Sequence, residues 1–119
     1  MIEIVTATTE LLERFYGEKP TRTLRAIAVV KDQEVLGIGG VYLQQDRLVM
    51  FSDMRPEVRV QLKNHRRILI LAARRVMAIA CRRRIPVRAL ADPDVEGSEA
   101  LLKHFGFSPL AQGVWEWAP

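Results

Sequence analysis

The chain has 119 residues with 49% hydrophobic and 27% charged side chains, enough for one core and too few for two, and too apolar for a disordered chain. No apolar run reaches the roughly 18 residues of a spanning helix, and Met1–Val5 lacks a basic segment leading into an apolar one, so a cytoplasmic protein without membrane association is expected. A single cysteine, Cys81, excludes an intramolecular disulfide, and with two histidines it supplies no metal-ligand set.

Ile2–Thr6 alternates weakly and reads as a first strand. Thr8 or Thr9 caps a short helix with Leu11, Leu12 and Phe15 as its apolar face, Glu10 and Glu13 near its positive end, and Gly17 as its stop. Leu24–Lys31 is rich in β-branched residues, and Val35–Leu43 follows after Lys31–Glu34, a spacing that predicts an antiparallel hairpin. Gly37, Gly39 and Gly40 inside its second strand predict a bulge or a close backbone approach. After a turn at Gln44–Asp46, Arg47–Met54 completes a three-strand meander, with Leu48, Val49, Met50 and Phe51 as a buried run.

Pro56 breaks the chain, and the periodicity predicts a helix from about Gln61 to Arg84. Projected at about 100° per residue, one half carries Leu62, Ile68, Leu69, Ala72, Ala73, Val76, Met77, Ile79 and Ala80. Lys63, Arg67, Arg74, Arg75 and Arg82 fall opposite, interrupted by Leu71 and Ala78. His65 projects into the apolar half, where a buried, hydrogen-bonded ring is expected. Cys81 falls on the polar side beside Arg82, a neighbourhood that lowers a thiol pKa, although without a nearby His an inert thiol is expected.

Val87–Ala91 reads as a short strand, Asp92–Asp94 as a turn and Glu96–Phe105 as a helix, with Gly106 in the left-handed position after it and Phe107 packing back. Ser108–Gln112 and Val114–Trp117 form two terminal strands around Gly113. Trp115 and Trp117 share a face of the last strand, which suits core closure first and a homodimer contact second. The order β-α-β-β-β-α-β-α-β-β predicts an α+β fold, a mixed, mostly antiparallel sheet with packed helices, as one domain over residues 1–119.

The net charge of +4 is unevenly spread. Residues 58–91 hold ten of the 18 basic side chains and none of the 14 acids, leaving eight basic against 14 acidic, or −6, on the other 85. Such a field draws anions to one region. There is no helix-turn-helix spacing, finger or aromatic–basic interleaving, so nucleic acid is not the expected partner, although Arg74, Arg75, Arg82 and Arg83 could grip phosphates without reading sequence.

The Gly-rich strand Val35-Leu36-Gly37-Ile38-Gly39-Gly40, the long helix after the fourth strand, and the helix–Gly–Phe segment Leu101-Leu102-Lys103-His104-Phe105-Gly106-Phe107 resemble, in order and spacing, the GCN5-related N-acetyltransferases (GNATs) from Leu24 onward. The usual second N-terminal helix is absent, and the compact length is similar to that of phage-encoded members. The resemblance implies acetyl-CoA as cofactor and an amine as acceptor. Phe51, Ser52 and Met54 would bind the pantetheine arm through their backbone. In this family the turn before the long helix carries Arg or Gln, two residues, Gly, one residue, and Gly or Ala. Here those positions fall near Asn64, Arg67 and Leu69, so the glycines are missing. Lys63, Arg66, Arg67 and Ile68 would then hold the diphosphate through charge and the helix start, unless the same bulky side chains fill the groove.

The family's Asn and its Tyr general acid fall at Val95 and Leu102, neither able to move a proton, and His104 points about 200° round the helix from Leu102. Asp53 and Glu57, at the end of the fourth strand, are the expected catalytic carboxylates; loop solvation or helix-start charge complementation is the plainer account of both. The leading expectation is acyl-CoA-dependent acetylation of an amine. The alternative is a catalytically silent member of the same fold that binds an anionic partner through its arginine face.

Overall fold

The computed structural model describes residues 1–55, 57–58, 65–91 and 97–119. Strand β1 (Ile2–Thr6) leads into helix α1 (Thr9–Tyr16) and the meander β2 (Leu24–Lys31), β3 (Glu34–Gln44) and β4 (Arg47–Met54). Helix α2 (Arg66–Cys81), strand β5 (Val87–Leu90), helix α3 (Ser98–His104) and strands β6 (Ser108–Ala111) and β7 (Val114–Trp117) follow. The expected α+β architecture and element order are both present. One seven-stranded sheet has the order β1-β2-β3-β4-β5-β7-β6, and only β4–β5 is parallel.

Local chemistry explains the bounds. Thr8 is extended and its Oγ1 accepts from the Leu11 N–H at 3.2 Å, while Gly17 closes α1 at φ 82°. Asp32 and Gln33 both have positive φ (50° and 70°), as a two-residue hairpin turn matching the sheet twist requires. At the far end Phe107 N–H donates to the Leu102 carbonyl and Gly106 N–H to that of Lys103, both at 3.0 Å. This is a Schellman closure that drives Phe107 into the core, where it is 3% exposed.

The glycines of β3 fulfil both readings. Val29 pairs with Gly37 but Val30 with Val35, so Leu36 is an extra residue in a bulge. The bulge shifts the alternation: Val35 and Ile38 join Leu12, Ala26 and Ala28 on the α1 face, while Leu36 joins the α2 face. A Cβ on Gly40 would stand 2.4 Å from the Arg25 carbonyl oxygen, and one on Gly39 3.4 Å from Val76 Cγ2, where α2 rests on the strand.

The larger core lies under α2, whose Ala72, Val76, Met77 and Ala80 pack with Ile27, Val29, Val41, Leu48 and Val87. Trp115 and Trp117 pack against this cluster, as core closure requires. Of the expected buried run in β4, Leu48 is buried while Val49, Met50 and Phe51 are half-buried. The expected start of α2 at 61–64 lies outside the described residues. Two expectations are corrected. His65 is exposed, because it is the N-cap with non-helical angles (φ −118°, ψ 47°) and the helical projection does not reach it. Cys81 is half-buried and packs against the core, on the edge of the apolar face one turn past Met77, and the Arg84 N–H donates to its carbonyl at 3.3 Å. Burial pushes the thiol pKa up, opposite to the pull of a neighbouring arginine.

Candidate functional site

The site begins where the sheet parts. β4 pairs with β5 only at Leu48↔Val87, Val49↔Arg88 and Met50↔Ala89. β5 then follows β7, with Leu90 opposite Val114 and the Ala91 N–H donating to the Gly113 carbonyl at 3.0 Å. β4 runs on through Phe51, Ser52, Asp53 and Met54, paired among the described residues with β3 alone. A wedge therefore opens beside these four residues, and their backbone edge faces it. Alternation sends Met54 to the α2 core and Phe51 to the α1 core.

Asp53 shares the side of Phe51, and there it meets α1. Tyr16 Oη donates to Asp53 Oδ2 at 2.5 Å, joining residues 37 apart in sequence. Packing of Leu12 beneath α1 sets the helix on the sheet, and the Gly17 stop places Tyr16 in the last helical position. The phenol pKa is raised well above 10.0, first by burial, then by its hydrogen bond to Asp53 and the charge there. Tyr16 therefore stays a proton donor throughout the physiological range and fixes one carboxylate oxygen. No pattern in the sequence singles out Tyr16, since the contact is non-local.

A cleft of about 350 Å³ surrounds this pair, walled by Tyr16, Glu18, Lys19, Arg22, Tyr42, Phe51 and Asp53 among others. Its walls are aromatic and braced by cations: Arg22 Cζ lies 4.3 Å from the Tyr42 ring centre, and Tyr42 and Phe51 are 6.0 Å apart. Arg55 Cζ stands 5.4 Å over Phe15, which meets Tyr16 edge-on at 5.1 Å. On β5, Arg88 lies between Val49 and Glu116, and its buried Nε has no hydrogen-bond partner among the described residues.

The other expected site residues are more dispersed. Glu57 is exposed, and among the described residues no hydrogen bond or ion pair joins it to Tyr16 or Asp53. Arg66 and Arg67 are exposed in the first turn of α2, where N–H groups have no acceptor within the helix. Ile68 N–H already donates to the His65 carbonyl at 3.1 Å. Lys63, Asn64 and Val95 lie outside the described residues. Leu102 packs against the core and His104 is a surface ring edge-on to Phe105 at 5.5 Å.

No protein-family model matches the sequence, and no curated protein matches it significantly. Solved structures, in contrast, superpose over nearly its whole length. The ribosomal-protein-S18-alanine N-acetyltransferase of Escherichia coli matches with a TM-score of 0.60 over 98% of this chain and 91% of its own, at 12% identity. The fold is that of the GNAT acetyltransferases. Another structure with this fold, E. coli YhhK, designated an N-acetyl transferase and solved in solution bound to coenzyme A, matches at 0.56 over 100% and 99% of the two chains, with 16% identity. The crystal structure of the KacTA–DNA complex matches at 0.56 over 98% and 92%, with 15% identity. At such identities the GNAT architecture is shared, while side-chain chemistry rests on this chain's own residues. Among the described residues no helix is long and apolar enough to cross a membrane.

Proposed function

We propose that the protein transfers an acyl group from acyl-coenzyme A to an amine. The observation that carries this reading is the wedge between β4 and β5 with the Tyr16–Asp53 pair standing beside it. The wedge fits the cofactor: β4 offers an extended edge at residues 51–54 that β5 leaves unpaired, which an amide-bearing arm completes as an added strand would. When bound, acyl-coenzyme A supplies an activated thioester carbonyl.

The chain's residues do the rest. Phe51, Ser52 and Met54 hold the arm through their backbone, and Arg66 and Arg67, with Lys63, meet the diphosphate by charge-assisted bonds in place of glycine-rich backbone. Asp53 takes the proton from the attacking amine as the C–N bond forms, and the C–S bond breaks to release the coenzyme A thiolate, which takes a proton from solvent. Tyr16 holds that carboxylate in one orientation, so the acceptor meets a fixed base. Glu57, exposed three residues past the end of β4, has the lesser part of passing the proton to solvent.

Calorimetry with acetyl-coenzyme A is expected to give a Kd in the micromolar range; no heat at about millimolar ligand overturns the proposal. Thiol release with a panel of primary amines is expected to fall roughly 100-fold in Asp53→Ala with cofactor affinity little changed. An unaltered rate removes Asp53 from the mechanism.

A further inference from the structure

A second cleft of about 400 Å³ lies between the second half of α2 and the β1–β2 side of the sheet. Among the described residues its charged lining side chains are Arg25, Arg75 and Arg82, with Thr6 beside them. Arg75 Nη1 donates to the Ile4 carbonyl at 3.0 Å, which holds its guanidinium against the wall and leaves its other N–H donors for a ligand.

The cleft continues into a ridge. Arg67 and Arg74, and again Arg75 and Arg82, are seven residues apart and so lie on one side of the helix, over about 22 Å from Arg67 to Arg82. All are exposed, as are Arg83 and Arg84 just beyond. Among the described residues the ion pairs are Met1–Asp32 and Arg47–Asp46, and no described carboxylate pairs with the ridge. Offsetting the helix dipole accounts for basic residues at its C-terminal end, and leaves Arg25, Arg74 and Arg75 unexplained.

The dimensions select the occupant. A small dianion would fill the cleft and leave the ridge unpaired, whereas a chain of phosphates meets both. Ile70, Leu71 and Ala78 stand exposed among the arginines with no aromatic side chain to stack an unpaired base. We infer that the ridge and its cleft bind the phosphate backbone of duplex nucleic acid without reading its bases. The absence of base-reading motifs bears only on sequence-specific recognition. Arg67 is shared with the proposed diphosphate site; the inference rests on Arg25, Arg74, Arg75 and Arg82, which acyl transfer does not use, and is independent of it to that extent.

Fluorescence anisotropy with a labelled mixed-sequence duplex of about 20 base pairs tests it. Four guanidinium–phosphate contacts predict that log K falls with log salt with a slope of about −3.6. R74A/R82A is expected to bind at least about tenfold more weakly and to flatten the slope by about 1.8. The charge-matched R14A/K103A, on α1 and α3, is expected to behave as wild type, and thermal melts of both variants check folding. The inference is overturned by no binding at about 50 mM salt, or by equal losses in the two double variants, which would mean net charge alone. It is equally overturned if single strands or polyglutamate bind as tightly as duplex.

Discussion

Gly40→Ala tests the packing that positions the site. Gly40 sits in β3 opposite Ala26 of β2, a strand flanked on both sides. An added Cβ would lie 2.4 Å from the Arg25 carbonyl oxygen, 2.7 Å from Ala26 Cβ and 2.8 Å from Ala26 Cα. Two of these are main-chain atoms locked in the ladder, so relief requires moving β2 itself. Overpacking of this kind costs about 1–3 kcal/mol, here at the upper end, against about 0.5–1 kcal/mol returned by a stiffer unfolded chain. The net expectation is a loss of about 2 kcal/mol, or a fall of roughly 8 °C in Tm. Gly37→Ala meets Met54 Cγ at 3.1 Å and the Asp53 carbonyl at 3.3 Å, and should lose about 1 kcal/mol because the methionine can swing. Gly39→Ala meets Val76 Cγ2 at 3.4 Å and the Phe51 carbonyl oxygen at 3.9 Å, both ordinary contacts, and should stay within about 0.5 kcal/mol of wild type. Urea unfolding followed by circular dichroism, with m constant across the series, reads the order directly. A Gly40→Ala protein within about 0.5 kcal/mol of wild type, or Gly39→Ala as the most damaging change, would refute the reasoning.

Tyr16→Phe removes the donor to Asp53. Because folding raises the phenol pKa above 10.0, the folded state holds that proton more tightly than the unfolded one, so the pair's contribution is complete below pH 10 and declines above it. Urea midpoints should therefore fall between pH 9 and 11 by more in wild type than in Tyr16→Phe, and parallel curves would sink the assignment. At neutral pH the loss should not exceed about 1 kcal/mol, since Asp53 is exposed and Tyr16, although partly covered, is still 40% exposed. Thr8→Ala is expected to cost about 1 kcal/mol and Thr9→Ala little, because only Thr8 bonds the Leu11 N–H; equal losses in thermal melts would contradict the cap. Arg88→Met should leave stability unchanged or raise it by about 1 kcal/mol, since Nε is buried without a partner; a loss beyond about 1 kcal/mol would show that the guanidinium is held after all.

Strands β1, β2, β4 and β7 were legible to the residue because β-rich runs end at turn residues or glycine on either side. The Gly-rich strand was legible as a class of feature, but which glycine met backbone and which met a side chain depended on the partner strand. Asp53 could be placed from the end of β4, because a strand end beside a crossover helix has a known neighbourhood. Its partner Tyr16 could not, since a hydrogen bond across 37 residues leaves no periodic trace. His65 shows where the helical wheel fails: projection assumes regular angles, and the first residue of a helix does not have them. Cys81 lies at the border of the two halves of the wheel, one turn past Met77, where a polar or an apolar side cannot be assigned from the projection alone.

The parting of β4 from β5 has a mechanical consequence. The sheet consists of two ribbons, β1 to β4 and β5-β7-β6, stitched among the described residues through three residue pairs. A molecule lodged in the gap touches both ribbons at once and acts as a further stitch. Occupancy would then register as slowed amide exchange not only in β4 and β5 beside the gap but also in β7 and β6 beyond them.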